Sequence, residues 1–370
     1  MLNYNARYAR HYSLKDFGYE GQKKISNAKV FVIGAGGLGC PVLHYLAAAG
    51  VGTIGVADDD VVSLSNLQRQ VLYSAEDIGR AKASVAGLKL QQLNPDITIN
   101  SFKMMVNSTN ALTLIADYDI VVDCTDNFAS RYLINDACVL LNKPLIFGAV
   151  YQYEGQVAIF NVVDASGNKT NYRNLFAIPP NPMEVADCNE AGVLGVLPGI
   201  IGIMQAAEAI KLITGIGEAL VNKLLTFSML DYSTFIIDIA DDELDNSGIP
   251  KDETEFKATD YNWLCGVATE GIEELEPLIF LQKISLHDTL IIDVRQTGVL
   301  PKADFANLNI PLSVLNENIP KIEANNIILF CQSGKRSLKA AQLLLEKFGA
   351  SKKISHLKGG IIALKENSNE

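Results

Sequence analysis

The stretch that decides the fold of the first part of the chain is KVFVIGAGGLGCPVLHYLAAAG, residues 29–50. A β-branched apolar run leads directly into GAGGLG, and a helical apolar pattern follows. The spacing of Gly34, Gly36 and Gly39 suits a tight turn, a close backbone approach to phosphate and close helix–strand packing. The N-terminus of the helix adds N–H donors and a favourable dipole. The pattern predicts a phosphate-binding loop, but it is shared by enzymes that transfer hydride, methyl or adenylyl groups.

The surrounding sequence alternates between short apolar runs and helical patterns from residue 29 to residue 160. The strand-like runs are KVFVIG, TIGVAD, DITINSF, DIVVDCTD and PLIFGAV, and the helical patterns are LGCPVLHYLAAAG, AKASVAGLKLQQLN and RYLINDACVLLN. This order predicts a Rossmann-like α/β fold, with a doubly wound and mostly parallel sheet. QVAIF, LLTFSML and STFIIDIA predict an antiparallel extension around a buried helix that lies between Pro198 and Gly215.

The composition changes after residue 240. DDELDNSGIPKDETEFKATD, residues 241–260, is acidic without an apolar period, which predicts a linker or exposed loop over 241–261. TLIIDVR, NIILFC and KISHL then read as strands, and SLKAAQLLLEKFGA reads as an amphipathic helix. We therefore expect one domain over residues 1–240 and a smaller α/β domain over residues 262–370.

Composition excludes several classes of partner. The net charge of −11 argues against nucleic acid held by counterion release. The six cysteines form no CxxC pair, so a disulfide framework is not expected. The N-terminus lacks the apolar core of a signal peptide, and the apolar run VLGVLPGIIGIMQAAEAIKLITG contains Gln205 and Glu208, which favour a buried helix over a membrane span. The expectation is a cytoplasmic protein without a membrane partner.

The residues after the glycine loop favour ATP over a nicotinamide dinucleotide. Asp58, Asp59 and Asp60 end the second strand, where an acid can hold ribose hydroxyls in either class of enzyme. A triphosphate also needs several cations, whereas backbone donors largely satisfy a pyrophosphate. The candidates in VSLSNLQRQ, IGRAKAS and DCTDN are Ser65, Asn66, Arg69, Arg80, Lys82 and Asp126. Any one of these residues alone is typical of an ordinary polar or charged surface. Their occurrence together, in this order along the chain, favours an ATP site with Asp126 as a Mg²⁺ ligand.

The motifs GAGGLG, DDDVVSLSNLQRQ, IGRAK, LNP, DCTDN, YEGQV and CNEAGVLG, in this order, resemble the MoeB/ThiF (HesA/MoeB/ThiF) family over residues 1 to about 240. The resemblance implies ATP-dependent adenylylation of the C-terminal Gly-Gly carboxylate of a ubiquitin-fold sulfur carrier, MoaD/ThiS-like, with release of pyrophosphate. It also implies a homodimer, in which Arg10 of the RYAR motif reaches into the ATP site of the partner subunit.

The same resemblance assigns roles to the site residues. Gly37, Asp58 and Asp60 would contact the nucleotide, while Asp126 and Asn127 would complete the metal and nucleotide site. The residues implied to surround the phosphates are Ser65, Asn66, Arg69 and Lys82.

Two features near the middle of the chain concern cysteine. Cys188, in CNEAG, matches a position that family members use for sulfur handling or for covalent attachment to the carrier. The family commonly has CYRCLF where this chain reads NYRNLF, residues 171–176, and a second CxxC where SGIPKDETEF stands. Asparagine cannot replace a thiolate in a tetrahedral structural zinc site. We therefore predict that zinc is absent.

The stretch CQSGKRS, residues 331–337, follows a predicted strand and opens a helix. Backbone N–H groups, Lys335, Arg336 and the helix N-terminus would stabilise a thiolate or persulfide on Cys331, and Gly334 lets the loop curl. A buried strand-end cysteine is one alternative; a phosphatase loop is another, although the arginine falls five positions after the cysteine instead of six.

Together with IIDVR before it and HLKGGIIAL after it, the loop resembles that of a rhodanese domain over about residues 262–366. The resemblance implies a transferable sulfane sulfur on Cys331, with Asp293, Arg295 and Cys265 in structural roles. The complete chain then resembles an adenylyltransferase/sulfurtransferase of the molybdopterin-synthase-activating type.

Four hypotheses follow. In the first, the first domain activates the carrier and the rhodanese-like domain supplies sulfur to form a thiocarboxylate. In the second, the rhodanese-like domain only docks a sulfur donor such as a cysteine desulfurase. In the third, Cys188 forms a thioester in ubiquitin-like conjugation, and the fourth is an NAD-dependent oxidoreductase, which the phosphate-site residues disfavour. The sequence leaves open whether the pathway is molybdopterin, thiamine or tRNA thiolation.

Overall fold

The computed structural model describes residues 6–177, 192–240, 248–261, 271–284, 288–299, 303–319, 322–332 and 334–366. The chain divides into two compact units, with the change of unit between Tyr261 and Asn262.

The first unit is built on an eight-stranded sheet. Its strands are β1 (Lys29–Ile33), β2 (Thr53–Ala57), β3 (Thr98–Phe102), β4 (Ile120–Asp123), β5 (Leu145–Tyr151), β6 (Glu154–Phe160), β7 (Lys223–Ser228) and β8 (Thr234–Asp238). Their spatial order is β3-β2-β1-β4-β5-β6-β7-β8, with parallel pairing from β3 to β5 and antiparallel pairing from β5 to β8. The predicted Rossmann-like sheet with an antiparallel extension is confirmed.

The helices of this unit surround the sheet. They are α1 (Ala9–Tyr12), α2 (Gly18–Asn27), α3 (Gly39–Ala49), α4 (Lys82–Leu93), α5 (Ala111–Ala116), α6 (Phe128–Leu140), α7 (Tyr172–Leu175), α8 (Val196–Thr214) and α9 (Glu253–Ala258). The predicted boundaries of α3, α4 and α6 agree with these bounds to within a few residues.

Helix α8 is the helix predicted to be buried, and it packs against α3, β5 and β6. Among the described residues it is also the one helix long and apolar enough to cross a membrane by length and composition. Its Gln205 is fully buried and donates from Nε2 to the backbone oxygen of Asp123 at 2.7 Å. Gly148 on β5 makes room for this amide, since a Cβ there would lie 2.3 Å from the Gln205 Cδ. Gln205 therefore links the apolar helix α8 to β4 of the sheet by a buried hydrogen bond.

The second unit has a five-stranded parallel sheet in the order β11-β10-β12-β13-β9. Its strands are β9 (Ile272–Leu275), β10 (Thr289–Asp293), β11 (Leu308–Asn309), β12 (Asn326–Phe330) and β13 (Lys353–Leu357). Its helices are α10 (Pro277–Lys283), α11 (Leu315–Asn318), α12 (Lys335–Phe348) and α13 (Gly360–Glu366). Two separate apolar clusters cover the sheet, one containing Leu329 and the other Phe330, as expected when neighbouring residues of a strand face opposite sides.

The acidic segment differs from the prediction of a linker. Residues 248–261 belong to the first unit and contain α9, which Asp252 caps by accepting a hydrogen bond from the Glu255 N–H at 2.9 Å. Phe256 and Tyr261 are buried, and their rings lie 5.7 Å apart. The two aromatic side chains help to dock this short, otherwise charged segment. The remainder of the predicted linker, residues 241–247, lies outside the described residues.

A buried ion pair holds this segment in place. Arg173 donates from Nε and Nη2 to the two carboxylate oxygens of Asp136, at 2.9 and 2.7 Å. The Tyr261 hydroxyl donates to the same carboxylate at 3.0 Å, and the Arg173 guanidinium lies 4.9 Å from the centre of the Tyr132 ring. The cluster therefore joins α6, α7 and the last residue of the first unit.

The two asparagines of NYRNLF shape the backbone around this ion pair. The Asn171 side chain accepts from the Arg173 N–H at 2.9 Å, and the Asn174 side chain accepts from the Asn171 N–H at 2.8 Å. These reciprocal bonds cap α7, as in a capping box. The residues that stand where the family has cysteines thus act as helix caps.

We predict that Arg173→Ala destabilises the first unit by about 3–5 kcal/mol, because it leaves the Asp136 carboxylate buried without its cation. Tyr261→Phe removes a single hydrogen bond to the charged carboxylate and should cost about 1.5–3 kcal/mol. The measurement is calorimetric unfolding of the full chain. Lys257→Ala, which breaks an exposed pair with Glu253 on α9, is the control; an Arg173→Ala effect no larger than this control would contradict the prediction.

Candidate active site

The candidate nucleotide site lies at the carboxyl edge of the parallel strands, where the chain direction across the sheet reverses between β1 and β4. The loops after these two strands touch each other. A Cβ on Gly34, which has φ +97°, would lie 2.7 Å from the backbone oxygen of Cys124. A Cβ on Gly39 would lie 1.9 Å from the oxygen of Gly34. Both positions accept only glycine, so the loop is narrow and its backbone faces the crevice.

Asp58 fixes the start of this loop. Its carboxylate accepts hydrogen bonds from the Ala35 N–H at 2.7 Å and from the Asp60 N–H at 2.9 Å. Burial raises the pKa of the Asp58 carboxyl above its ordinary value, while Lys82 and the two backbone donors oppose the shift. The predicted ribose-binding acid therefore lies directly against the glycine loop.

The predicted phosphate residues collect on one side of this loop. Lys82 is buried, and its Nζ donates to Asp60 at 2.8 Å. Arg69 donates to the Ser65 backbone oxygen at 3.1 Å, and its Cδ lies 3.6 Å from the position of a Cβ on Gly37. Both cations are thus held beside the loop by contacts within the chain.

The turn that contains these residues is stabilised by polar contacts. The Asn66 side chain accepts from the Ser63 N–H at 3.3 Å, and Ser65 is exposed with its hydroxyl 3.0 Å from that of Ser63. Arg80 is paired with Asp77 at 2.9 Å. Arg80 therefore serves the turn before α4, while Lys82 is the cation at the loop.

Asp126 and Asn127 are exposed at the end of the loop after β4. Asn127 caps α6 by accepting from the Ser130 N–H at 2.9 Å. Behind them the buried Asp123 accepts from both the N–H and the hydroxyl of Thr125, at 2.9 and 2.7 Å. The exposed Asp126 carboxylate is thus presented on a braced loop and would be able to hold a Mg²⁺ ion, which often takes only one or two protein carboxylates.

Arg10 does not join the other predicted residues within the chain. It is exposed on α1, two residues after Tyr8, whose hydroxyl accepts from Asn94 Nδ2 at 2.8 Å. Asn94 precedes β3, so α1 lies toward the amino edge of the sheet, opposite the glycine loop. The side chain is free to extend away from the unit.

Sequence reasoning missed three residues that shape the site: Gln70, Asp77 and Arg131. Gln70 is buried against the glycine loop. Asp77 holds both Arg80 and Lys89, and Arg131 lies between the rings of Phe128 and Phe147 at 5.5 Å from each. Gln70 ends the NLQRQ motif, so its position was a usable signal; no local pattern identifies the other two.

In the second unit, Cys331 directly follows β12 and is buried, and its backbone oxygen accepts from the Ile361 N–H at 2.9 Å. Gly334 has φ +87°, and a Cβ there would lie 2.9 Å from the Gly359 nitrogen. Arg336 is half-buried in the first turn of α12. Cys331 thus lies at the strand end and Gly334 at the start of the helix, as the sequence predicts.

Asp293 and Arg295 form a buried ion pair next to this loop, with Arg295 Nη2 2.7 Å from Asp293 Oδ2. The Arg295 guanidinium lies 5.7 Å from the Phe330 ring. Both residues pack within the fold. Cys188, Cys265 and the Lys335 side chain lie outside the described residues.

These features define an α/β nucleotide-binding unit with cations fixed around a glycine loop, followed by a unit with a cysteine loop. The chain belongs to the ThiF family, which matches residues 8–246, and residues 277–367 match the rhodanese-like domain. The "Probable adenylyltransferase/sulfurtransferase MoeZ" of Mycobacterium tuberculosis is 41% identical over 97% of this chain and 92% of its own length. The "Sulfur carrier protein adenylyltransferase" of Thermus thermophilus is 47% identical over 70% of this chain and 96% of its own.

A solved structure of E. coli MccB with ATP has the same fold as the first unit. Its TM-score is 0.57 and its identity 24%, with 67% of this chain and 74% of that chain covered. The predicted family and second domain are confirmed.

The shifted pKa of Asp77 predicts how the stability of the first unit depends on pH. Burial alone would raise its pKa, but hydrogen bonds from Lys89 and Ser74 outweigh burial and lower the pKa from 3.8 to about 2. A lowered folded-state pKa stabilises the fold above the unfolded-state value, and the gain is lost as pH falls toward about 2. The stability difference between the wild type and Asp77→Asn should therefore shrink between about pH 5 and pH 2 in denaturant unfolding. Ser74→Ala, which removes one donor, should show a smaller change, and a difference that is constant with pH would contradict the prediction.

Proposed function

We propose that the first unit adenylylates the C-terminal Gly-Gly carboxylate of a ubiquitin-fold sulfur carrier with ATP, releasing pyrophosphate. The observation that carries the proposal is the placement of Lys82 and Arg69 beside the glycine loop, at the same edge of the sheet as the exposed Asp126. The names of the relatives support the same reaction for this chain.

The reaction requires two anions, the carrier carboxylate and the ATP triphosphate, to be brought together. The carrier carboxylate attacks the α-phosphorus, and negative charge develops on the transferring and leaving phosphate oxygens. The Lys82 ammonium has three N–H donors. One of them donates to Asp60, and the other two can donate to phosphate. Arg69 and the loop N–H groups add further donors, and Mg²⁺ held by Asp126 would neutralise phosphate charge. A general base is unnecessary because the carboxylate is ionised at neutral pH.

An exposed apolar rim fits the carrier. β7 runs parallel to β5, so the β5–β6 and β7–β8 turns lie at the same edge of the sheet as the nucleotide loops. The two turns are joined by a hydrogen bond from the Met229 N–H to the Tyr153 oxygen at 2.9 Å. The exposed side chains of the rim are Tyr151, Tyr153, Leu230, Tyr232 and Phe235. Exposed apolar patches mark protein interaction sites, and a globular carrier on this rim would direct its flexible C-terminus to the crevice.

For the second unit, we propose that Cys331 carries a persulfide. Its terminal sulfur attacks the acyl carbon of the adenylate, AMP leaves, and the carrier is joined to Cys331 as an acyl disulfide. A second thiol, proposed to be Cys188, then attacks the Cys331 sulfur, releases the thiocarboxylate and forms a disulfide that an external thiol reduces. The strand-end position of Cys331 at the start of a curled loop supports this role.

Two further proposals concern the assembly. The exposed position of Arg10, away from the glycine loop of its own chain, supports a homodimer in which it completes the phosphate site of the partner subunit. We also propose that the first unit does without structural zinc. The Arg173–Asp136–Tyr261 cluster and the Asn171 and Asn174 caps make the local contacts instead.

ATP–pyrophosphate exchange tests the first step. Wild-type protein, in zinc-free buffer with Mg²⁺, should catalyse exchange only with its cognate Gly-Gly carrier. Asp126→Ala should lower the rate at least about 100-fold, because the metal-bearing carboxylate is lost. Asp117→Ala removes an exposed carboxylate at the amino end of β4 and is the matched control. Equal rates for the two variants would exclude the role of Asp126, and no exchange with any carrier would exclude adenylylation.

Cys331→Ser tests the second step. We expect unchanged pyrophosphate exchange but loss of thiocarboxylate, measured by mass spectrometry of the intact carrier after incubation with ATP and a persulfide donor. Cys138→Ser is the control, since Cys138 is a buried cysteine on α6 of the first unit. Thiocarboxylate formation that persists in Cys331→Ser would favour the alternative, in which the second unit only docks a sulfur donor.

A further inference from the structure

One buried side chain beside the glycine loop has an unused hydrogen-bonding group. Gln70 is 3% exposed, and its Oε1 has no accessible surface and no hydrogen-bond partner among the described residues. Its backbone is fully engaged: the N–H donates to Asn66 at 2.9 Å, and the oxygen accepts from Tyr73 at 3.1 Å. A buried acceptor without a partner destabilises the protein that contains it, so the amide is not explained by the fold alone.

The amide lies against the part of the loop that approaches phosphate. Gln70 Nε2 is 3.6 Å from the position that a Cβ on Gly36 would take, while the Cδ of the preceding residue, Arg69, is 3.6 Å from the corresponding position on Gly37. Consecutive side chains therefore cover consecutive glycines of GAGGLG. The guanidinium of one and the amide of the other flank the same stretch of backbone.

We propose that Gln70 contacts the bound nucleotide, donating from its amide to a phosphate oxygen of ATP. Phosphate offers only acceptors, so the donor Nε2, which faces the loop, is the group of the right kind, whereas Oε1 cannot pair with phosphate. The rest of the Gln70 side chain is buried, so its rotation is restricted and the amide is held in place before it meets a ligand. The inference rests on the proposed ATP-dependent function.

The test replaces the amide by an apolar group of similar shape. Gln70→Met removes the unpartnered acceptor, so it should raise the Tm of the nucleotide-free protein by about 2–4 °C. The same substitution should weaken binding of Mg²⁺–ATP, measured by calorimetry, and lower kcat/KM for ATP in pyrophosphate exchange, each by about 10- to 100-fold. Gln70→Glu, which keeps the shape but puts a carboxylate beside the phosphates, should weaken binding further.

A matched control separates this role from a structural one. Gln205→Met also replaces a buried glutamine, but the Gln205 amide donates to Asp123, so its loss should lower the Tm. A Gln70→Met protein with unchanged ATP binding, or with a Tm lowered as in Gln205→Met, would overturn the proposal. If the wild type binds ATP but exchanges no pyrophosphate, adenylylation fails, and the comparison of ATP binding still decides the role of Gln70.

Discussion

The contact between Gly34 and Cys124 is the constraint on which the nucleotide site depends. β1 and β4 are neighbours in the sheet. The chain continues from β1 to β2 on one side and from β4 to β5 on the other, which opens a crevice between the two loops. With 2.7 Å between the place of a Gly34 Cβ and the Cys124 oxygen, any side chain at residue 34 would push the loops apart. The loops can approach this closely because residue 34 has no side chain. The hydrogen-bond donors around the crevice are placed by these two loops.

The charged side chains at the crevice are held by contacts within the protein. Lys82 rests on Asp60, and Asp58 holds the loop backbone. The Asp60 carboxylate is exposed, whereas the Lys82 side chain that it holds is buried. Such a site does not have to reorganise when a polyphosphate enters, which is how fixed dipoles and charges lower the barrier of a transfer between two anions.

The sequence was sufficient for the layered architecture and for placing the glycine loop between β1 and α3, because both follow from local patterns. Strand runs bounded by turn residues and glycines at fixed spacing need no knowledge of the rest of the chain. The short strands β9 and β11 were missed, since two to four residues carry no period. The Asp136–Arg173–Tyr261 cluster joins residues 37 and 125 positions apart, so no window of sequence contains it. Nor does a sequence reveal that a buried amide such as Gln70 lacks a partner.

The replacement of cysteines by asparagines at residues 171 and 174 has a consequence for the fate of reactive sulfur. A sulfane sulfur is transferred to whichever thiolate it meets, so a zinc–thiolate cluster would be a competing acceptor. Burial raises the pKa of Cys40 to about 12, and it raises the pKa of Cys124 and Cys138 well above the ordinary value. These three thiols stay protonated and poorly nucleophilic. Among the residues that the structure describes, the cysteines of the first unit are thus poor acceptors for transferred sulfur.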